Sequence, residues 1–332
     1  MLIVGLHVVF QLNRLGFNGY PFQFLNAGVD IFFVISGFIM WYTTFNRNVG
    51  PVEFLRRRFI RIVPLYWLVT TFYVILLIIR PNVFQSDKFQ LSHIVASYFF
   101  IPTIHPVLHQ LWPLVVQGWT LNYEMFFYLL FALCLISPDR SRALIIITVL
   151  ICIVGMQAFN PSDNSIVGFY TSSIILEFAL GVGLGYLYTS GLSIPRVFAS
   201  LMMLAGFVGL LLAIEANSLS LPRVFVLGIP ACLIVGGAVF YERAHSVTEI
   251  ALPVLLGDAS YSLYLSHGAV LSAFEQIWRG LGGPHTSEPI FAFLFSATGI
   301  ILATLVGIGL YHFVERPMLY KLSAYLPKSA SA

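Results

Sequence analysis

The apolar stretch GVDIFFVISGF, residues 28–38, is followed by the basic run EFLRRRFIRIVPLYW, residues 53–67. The first stretch places one acid, Asp30, at the mouth of an apolar helix, and five arginines then fall within residues 47–61. A hydrophobic helix followed by clustered positive charge is typical of a membrane span that ends on the cytoplasmic side. The two stretches therefore predict an integral membrane protein.

The overall composition also indicates an integral membrane protein. Of the 332 residues, 58% are hydrophobic and only 9% are charged, and the mean hydropathy is +0.88. A water-soluble domain needs more polar residues than this to cover its surface. The three cysteines, Cys134, Cys152 and Cys232, all lie in apolar runs, so they offer neither a disulfide framework nor a metal-ligand spacing.

Hydrophobic windows predict ten membrane-spanning helices, each needing roughly 20 apolar residues. They cover residues 1–12, 29–45, 63–79, 119–136, 143–159, 170–190, 197–214, 222–241, 254–278 and 289–313. The expected fold is therefore an all-α, polytopic membrane bundle that forms a single domain over residues 1–332. The first window would give a helix of about 18 Å, against a hydrocarbon core of about 30 Å. We expect that the cytoplasmic half of this first helix is absent from the sequence.

Lysine and arginine are distributed unevenly between the two sets of connections. The even-numbered connections and the C-terminal tail hold twelve: Arg47, Arg56, Arg57, Arg58, Arg61, Arg140, Arg142, Arg196, Arg243, Arg316, Lys321 and Lys328. Five lie in or beside the odd-numbered connections: Arg14, Arg80, Lys88, Arg223 and Arg279. Because positive charge is enriched on the cytoplasmic side, we expect both termini in the cytoplasm and the odd-numbered connections outside.

Two short motifs each have two interpretations. His105 and His109 have the i, i+4 spacing of two metal ligands on one helix face, but Pro106 between them and the lack of a nearby acidic ligand favour a plain loop. The GVGLG run, residues 181–185, superficially resembles a phosphate-binding loop. It lies within a span and follows no strand, which favours close helix packing at Gly181 and Gly185. We expect no metal site.

Ionisable residues within the spans are the candidates for chemistry. Each costs about 2.5 to 3.5 kcal/mol at mid-helix, so such groups are normally turned inward and paired. The main candidates are His7, Asp30, Glu124, Glu177, Asp258 and His267. His267 shares a helix face with Ser260 and Tyr264, and each such group alone is explained equally well by hydrogen bonding between helices. Together they would line a polar passage, for which we assign Tyr261, Tyr264, His267, Glu177 and Asp258.

The basic run indicates a site for anions. Arg58 and Arg61 lie three residues apart and share one helix face, and the arginine fork suits phosphate. For Arg56 and Arg57 we favour a topology anchor that contacts lipid headgroups. Pro64 is expected to limit the start of the helix that follows.

Six motifs, in order, resemble those of the acyltransferase 3 family of bacterial integral membrane acyltransferases. They are a histidine in the first helix (His7), GVDIFFVISGF (28–38), R-x-x-R-I-x-P-x-Y (58–66), GWTLNYEMFFY (118–128), LGDASYSLYLSH (256–267) and VERP (314–317). The stretches FFVISGFIMW and LWPLVVQGWTLNYEMFFY are most similar to the exopolysaccharide production subgroup, whose members acetylate secreted polysaccharides. The resemblance covers essentially the whole chain.

The resemblance implies transfer of an acyl group, usually acetyl, from cytoplasmic acyl-CoA to a hydroxyl of an exported or lipid-linked polysaccharide. It implies that His7 is the catalytic base and that Arg58 and Arg61 meet the acyl donor. Glu124 matches the acid of the family's W-x-L-x-x-E motif, and an inward carboxylate, Asp30 or Glu124, would orient the imidazole as the third member of a triad does. The family has an arginine eleven positions before this histidine, whereas the sequence given begins six residues before His7.

The resemblance also implies a cellular location, a donor substrate and partners. The location is the bacterial inner membrane, with acyl-CoA, in particular acetyl-CoA, as donor substrate and no metal cofactor. The expected partners are membrane lipids, the glycan acceptor and the polysaccharide biosynthesis machinery, with no nucleic acid. Two other classes stay open: a transporter or flippase for a lipid-linked glycan, in which Pro230 and Pro253 would break spans, and a non-catalytic membrane component of a polysaccharide synthesis complex.

Overall fold

The computed structural model describes residues 1–17, 23–79, 88–159, 165–216, 221–244, 250–282 and 289–324. Within these ranges all regular structure is helical, and short 3-10 or π turns join several of the α-helices. The α-helices are α1 (Leu2–Arg14), α2 (Ala27–Thr44), α3 (Pro51–Ile79), α4 (Leu91–Tyr98), α5 (Trp119–Cys134), α6 (Asp139–Gly155), α7 (Ile166–Thr171), α8 (Leu176–Thr189), α9 (Arg196–Ala216), α10 (Ile229–Ala244), α11 (Ala251–Asp258), α12 (Ser260–Gly280), α13 (Pro289–Leu310) and α14 (Arg316–Ser323).

Seven helical segments in the described part of the chain are long and apolar enough to cross a membrane. They are Phe24–Thr44, Pro51–Ile79, Asp139–Ala158, Ile166–Thr189, Arg196–Ala213, Val224–Ala244 and Pro289–Ser323. Each overlaps one of the ten predicted windows, so the all-α, polytopic membrane fold is confirmed. The other three windows correspond to the 13-residue α1, the 16-residue α5 and the pair α11 and α12. The count of ten therefore stays a prediction.

The proline in the basic run lies inside a helix, so the expectation that Pro64 limits the helix start is wrong. Helix α3 begins at Pro51, where the missing N–H of proline breaks no helical hydrogen bond, and it continues for 29 residues. An interior proline costs about 3 kcal/mol. Its neighbours Val63 and Leu65 are both fully buried, and their packing offsets that cost. As a result Arg56, Arg57, Arg58 and Arg61 all project from one continuous helix.

The predicted span 254–278 is divided in two. Helix α11 ends at Asp258, Ala259 follows with ψ near 0°, and α12 begins at Ser260. Gly257 and Asp258 are both poor helix formers, which explains why the break falls at this point.

Contacts divide the chain into two compact units. The first comprises Met1–Gly28, Ile60–Val69 and Glu249–Ala332, and the second comprises Val29–Phe59 and Thr70–Thr248. In the first unit, α1 packs against α12 and α13. Val4, Val8 and Leu12 recur at helical spacing along α1 and join a buried cluster with Leu271 and Phe295. This apolar stripe fixes which face of α1 turns inward.

In the second unit, glycines allow α2 and α8 to approach closely. A Cβ atom added at Gly181 would lie 2.1 Å from the carbonyl oxygen of Val34, and one added at Gly37 would lie 2.2 Å from that of Phe178. A Cβ at Gly185 would lie 2.8 Å from the Trp41 ring. The interpretation of Gly181 and Gly185 as helix-packing residues is therefore confirmed.

We expect Gly181→Ala to destabilise the protein by about 1–3 kcal/mol, because the added methyl group would force the α2 backbone away. Gly183→Ala on the same helix is the matched control. Its nearest neighbour, the Ile147 side chain, would lie 3.9 Å from the added Cβ, so this change should be neutral or slightly stabilising. Thermal unfolding of the purified variants in detergent provides the measurement. Equal unfolding temperatures for the two variants would contradict the close approach.

Candidate active site

Two of the predicted histidines, 260 positions apart in the sequence, meet in the first unit. His7 is on α1 and His267 is on α12. His267 Nε2 lies 3.3 Å from His7 Nδ1, and the two ring centres are 4.7 Å apart. His267 is fully buried, whereas His7 is only half-buried. The side chain that the resemblance makes the catalytic base is therefore partly accessible and is held against a second imidazole.

The hydrogen bonds of the two rings assign their tautomers. His7 Nδ1 lies 2.9 Å from the carbonyl oxygen of Ile3, and His267 Nδ1 lies 3.1 Å from that of Leu263. A carbonyl oxygen only accepts, so in both neutral rings the proton belongs on Nδ1. His7 Nε2 then carries a lone pair and is the basic nitrogen of the ring. His267 Nε2 is a second acceptor for the His7 Nδ1–H.

The His7 imidazole has an orienting partner on its own helix. That partner is the carbonyl oxygen of Ile3, one helical turn earlier, with the imidazole of His267 beside it. A role for the carboxylate of Asp30 or Glu124 in orienting the imidazole stays a prediction. A backbone carbonyl fixes the tautomer as a carboxylate does, but it adds no negative charge beside an imidazolium.

Further polar contacts continue along α1 and α12. The Gln11 amide donates to Ser272 Oγ at 3.4 Å, and the Arg14 guanidinium lies 3.8 Å from the carboxylate of Glu275. The sequence positions of these contacts increase together on the two helices, so α1 and α12 run in the same direction. The ring of Tyr264 lies 5.9 Å from that of His267 and forms one side of the histidine pair.

A second cluster in the first unit contains Arg61. Its guanidinium lies 2.6 Å from Glu315 Oε1, and Ser262 Oγ donates to the other oxygen of the same carboxylate at 2.5 Å. Glu315 is fully buried, while 40% of the Arg61 side chain is exposed. Tyr261 donates to the carbonyl oxygen of Ile62 at 2.7 Å, and its ring lies 5.9 Å from Arg61 Cζ. The acid of the VERP motif is thus the partner of the R-x-x-R motif.

In the second unit, Arg58 and Glu124 converge on one tyrosine. The Tyr128 hydroxyl donates to Glu124, and the ring of Tyr128 lies 6.0 Å from Arg58 Cζ. Ser36, from the GVDIFFVISGF stretch, also donates to Glu124 at 3.0 Å. The Glu124 carboxylate is almost fully buried. Arg58 and Arg61 were expected to share one ligand face, but each contacts a different buried set of side chains.

The two remaining buried acids, Asp30 and Glu177, lie near one arginine, Arg223. Arg223 donates to both oxygens of the fully buried Asp30, at 2.9 Å from Nε and 2.7 Å from Nη2. This two-pronged geometry is the strongest form of an arginine–carboxylate pair. The fully buried Glu177 carboxyl group neighbours both Asp30 and Arg223. Asp30 and Glu177 are therefore both turned inward, as expected, and the cation that pairs with Asp30 lies beside a predicted outer connection.

One assigned polar-path residue does not turn inward. Asp258 is exposed at the C-terminal end of α11, where the predicted continuous span is broken. The expectation of a buried Asp258 is therefore wrong, because it assumed a helix that runs unbroken through Ala259.

The histidines with metal-ligand spacing lie in a loop, as favoured. His105 is fully buried and its Nδ1 accepts hydrogen bonds from the amides of Val107 and Leu108, both at 3.3 Å. His109 is exposed and has a φ of 54°. Over the described residues, no group of three or more histidine, cysteine or acidic side chains comes close enough to hold a metal ion.

Comparisons with known proteins identify the relatives of this chain. The exopolysaccharide production protein ExoZ of Rhizobium meliloti is 36% identical over 313 residues, which cover 91% of this chain and 92% of that protein. The O-acetyltransferase OatA of Staphylococcus aureus is 23% identical over 376 residues, 99% of this chain and 58% of that protein. No solved structure matches the chain significantly. The profile described as "Acyltransferase domain" matches residues 1–311, so this membrane protein is an acyltransferase and belongs to the acyltransferase 3 family.

Proposed function

We propose that the protein transfers an acetyl group from cytoplasmic acetyl-CoA to a hydroxyl of an exported or lipid-linked polysaccharide. The observation that carries the proposal is the half-buried His7 imidazole, whose Nδ1 proton is engaged by Ile3 and whose Nε2 is left basic. The names of the two relatives, an exopolysaccharide production protein and an O-acetyltransferase, support the polysaccharide acceptor and the O-acetyl product.

The proposed reaction needs a base because a sugar hydroxyl is a poor nucleophile near neutral pH. His7 Nε2 removes the hydroxyl proton while the oxygen attacks the thioester carbonyl carbon. A C–O ester bond forms, the C–S bond breaks, and the proton passes from His7 to the departing thiolate of CoA. His267 Nε2 accepts from the His7 Nδ1–H and so stabilises the imidazolium formed during the attack.

Arg58 and Arg61 are proposed to meet the phosphate groups of the donor. Arg61 remains 40% exposed after pairing with Glu315, so part of its guanidinium is available to a ligand. We further propose that the chain acts as one domain over residues 1–332 in the bacterial inner membrane, with both termini cytoplasmic. In that orientation the basic N-terminal part of α3 faces the cytoplasm, where acyl-CoA is found. Catalytic roles for Asp30 and Glu124 remain predictions.

The proposal is tested with membranes that contain the full chain, labelled acetyl-CoA and the polysaccharide of the source bacterium after removal of its O-acyl groups. We expect alkali-labile label on the polysaccharide, and an acetyl mass on surface polysaccharide that disappears when the gene is deleted. A transporter would move the glycan without labelling it. Unlabelled polysaccharide with a folded, membrane-inserted protein would contradict the proposal.

We expect two variants, Arg58→Gln and the paired change Arg61→Gln with Glu315→Gln, each to weaken acetyl-CoA binding by about tenfold to a hundredfold. A hydrogen bond to a charged group contributes about 1.5–3 kcal/mol, which corresponds to that range. Glu315 is changed with Arg61 because an unpaired buried carboxylate would itself unfold the site. Titration of acetyl-CoA into the purified protein provides the measurement.

Arg56→Gln is the matched control for the donor site. Arg56 belongs to the same basic run, but it is exposed and was assigned to lipid contact. Its replacement should leave the affinity for acetyl-CoA unchanged. An unaltered affinity in the Arg58 and Arg61 variants as well would remove both residues from the donor site.

A further inference from the structure

A cavity in the second unit is not used by the proposed mechanism. Its volume is about 270 Å³, and the residues that line it include the aromatic Trp112, Trp119 and Tyr123 and the glutamines Gln110 and Gln157. The wall residues come from the connection before α5, from α5 itself and from the segment around α7. Both of these connections are odd-numbered in the predicted topology, so the cavity lies at the end of the protein where the proposed acceptor is found.

The aromatic wall is fixed in place by its own contacts. The Tyr123 ring stacks on Phe169 with ring centres 4.0 Å apart, and its hydroxyl donates to the Phe169 carbonyl oxygen at 2.7 Å. Trp119 meets Tyr123 edge-on, at 5.9 Å and 82°. Trp112 and Trp119 are only half-buried, so ring surface remains available to a ligand. A rigid aromatic wall with open faces is suited to stacking.

The loop that carries Gln110 and Trp112 is also held rigidly. The buried His105 accepts from the amides of Val107 and Leu108, and its own amide donates to the carbonyl oxygen of Gln110 at 2.7 Å. This closed turn places Gln110 and Trp112 at the cavity. The role of His105, for which the sequence favoured a plain loop over a metal ligand, is thus to shape this wall.

The chemistry of the wall selects one class of ligand. None of the residues that line the cavity carries a charged side chain, so a phosphate or a nucleotide would find no counter-charge there. Two glutamine amides and Ser172 offer both donors and acceptors, which a lipid tail would leave unpaired at a cost. A sugar ring has hydroxyls at its edge and a C–H surface on its face. It therefore satisfies the amides and the aromatic rings together.

We propose that this cavity binds one sugar ring of the acceptor polysaccharide. The volume lies just below the lower end of the range for small-molecule sites, about 300 Å³, so it fits a single ring rather than several. This inference rests on the proposed function, because it names a recognition site for that reaction's acceptor. It predicts that the cavity sets the affinity for the saccharide and leaves the affinity for the acyl donor unchanged.

The test uses the full chain in lipid nanodiscs without an acyl donor. The probe is the oligosaccharide repeat prepared from the source bacterium's surface polysaccharide after removal of its O-acyl groups, and calorimetry measures its binding. Trp112→Ala and Gln157→Ala should each weaken binding at least tenfold, whereas Trp112→Phe, which keeps an aromatic face, should lose less. Trp67→Ala on α3 and Gln90→Ala before α4 change a partly exposed tryptophan and an exposed glutamine outside the cavity. These two controls should bind as the unaltered protein does.

The result separates this inference from the proposed function. The cavity assignment is supported if the cavity variants lose saccharide binding while their acetyl-CoA affinity is unchanged. This holds even if no acetyl transfer is detected, because the lack of transfer would count against the proposed function alone. Acetyl transfer with the same saccharide affinity in Trp112→Ala, Gln157→Ala and the unaltered protein would overturn the cavity assignment. Failure of the unaltered protein to bind the probe would overturn it as well.

Discussion

His7→Ala is expected to lower acetyl transfer by about 10² to 10⁴-fold while the protein remains folded in the membrane. That range is the usual contribution of a positioned general base. Among the described residues, the half-buried imidazole contacts the Ile3 carbonyl and the rings of Phe10 and His267 and forms no ion pair, so its removal leaves no charged partner unpaired there. The rate is measured with labelled acetyl-CoA and O-deacylated polysaccharide, normalised to the amount of folded protein.

The neighbouring histidine should behave as a positioning residue. His267→Ala removes the acceptor beside His7 Nδ1, so we expect a smaller loss, in kcat rather than in the KM for acetyl-CoA. His267→Gln should recover part of the loss, because its amide oxygen also accepts a hydrogen bond. The double variant His7→Ala with His267→Ala should be no slower than His7→Ala alone, since residues that act as a unit are not additive. A purely structural His267 would instead add its own cost.

An exposed histidine is the control for this series. His312→Ala replaces an imidazole at the surface and should leave transfer unchanged. Normal transfer by His7→Ala would refute the assignment of the base, whatever the behaviour of His267.

The fold was largely predictable because membrane insertion follows local composition. A window of apolar residues predicts a span without knowledge of its neighbours, and seven windows do correspond to membrane-length helices. The same reasoning failed at Pro64 and Ala259. At Pro64 buried neighbours override the usual preference of proline, and at Ala259 a break occurs inside an apolar window. Helix packing at Gly181 was predictable because glycine spacing in a span has one common use.

The sequence predicted most residues of the candidate site, but it did not predict which residues pair with each other. Burial of Asp30, Glu124, Glu177 and His267 follows from the cost of exposing them to lipid. Their partners lie far away in the sequence: Arg223 is 193 positions from Asp30, and Glu315 is 254 positions from Arg61. Which residues meet over such sequence separations depends on how whole helices pack, so no local sequence pattern predicts these pairs. Arg223 was counted only as a loop charge, although a lone arginine beside an apolar window does suggest a buried acid as partner.

Arg223→Ala is expected to destabilise the protein by about 3 kcal/mol. The change leaves the fully buried Asp30 without its cation, beside the second buried acid Glu177. Breaking a buried pair costs about 3–5 kcal/mol, and the lower end applies because 33% of the Arg223 side chain is exposed. Arg223→Lys keeps the charge but loses the two-pronged geometry, so an intermediate loss is expected. Thermal unfolding and the yield of monodisperse protein in detergent measure both.

A second substitution at the same site separates structure from chemistry. Asp30→Asn combined with Arg223→Gln removes both charges and keeps the shapes, so it should recover most of the stability lost by Arg223→Ala, because no buried carboxylate of Asp30 is then left unpaired. Arg140→Ala, at an exposed position, should change stability by less than about 0.5 kcal/mol.

If the double variant folds and still transfers acetyl groups, Asp30 serves the fold and the predicted catalytic role is wrong. If it folds but transfer is lost, the Asp30–Arg223 pair is needed for the reaction itself. Unaltered stability of Arg223→Ala would show that the buried pair contributes nothing to the fold.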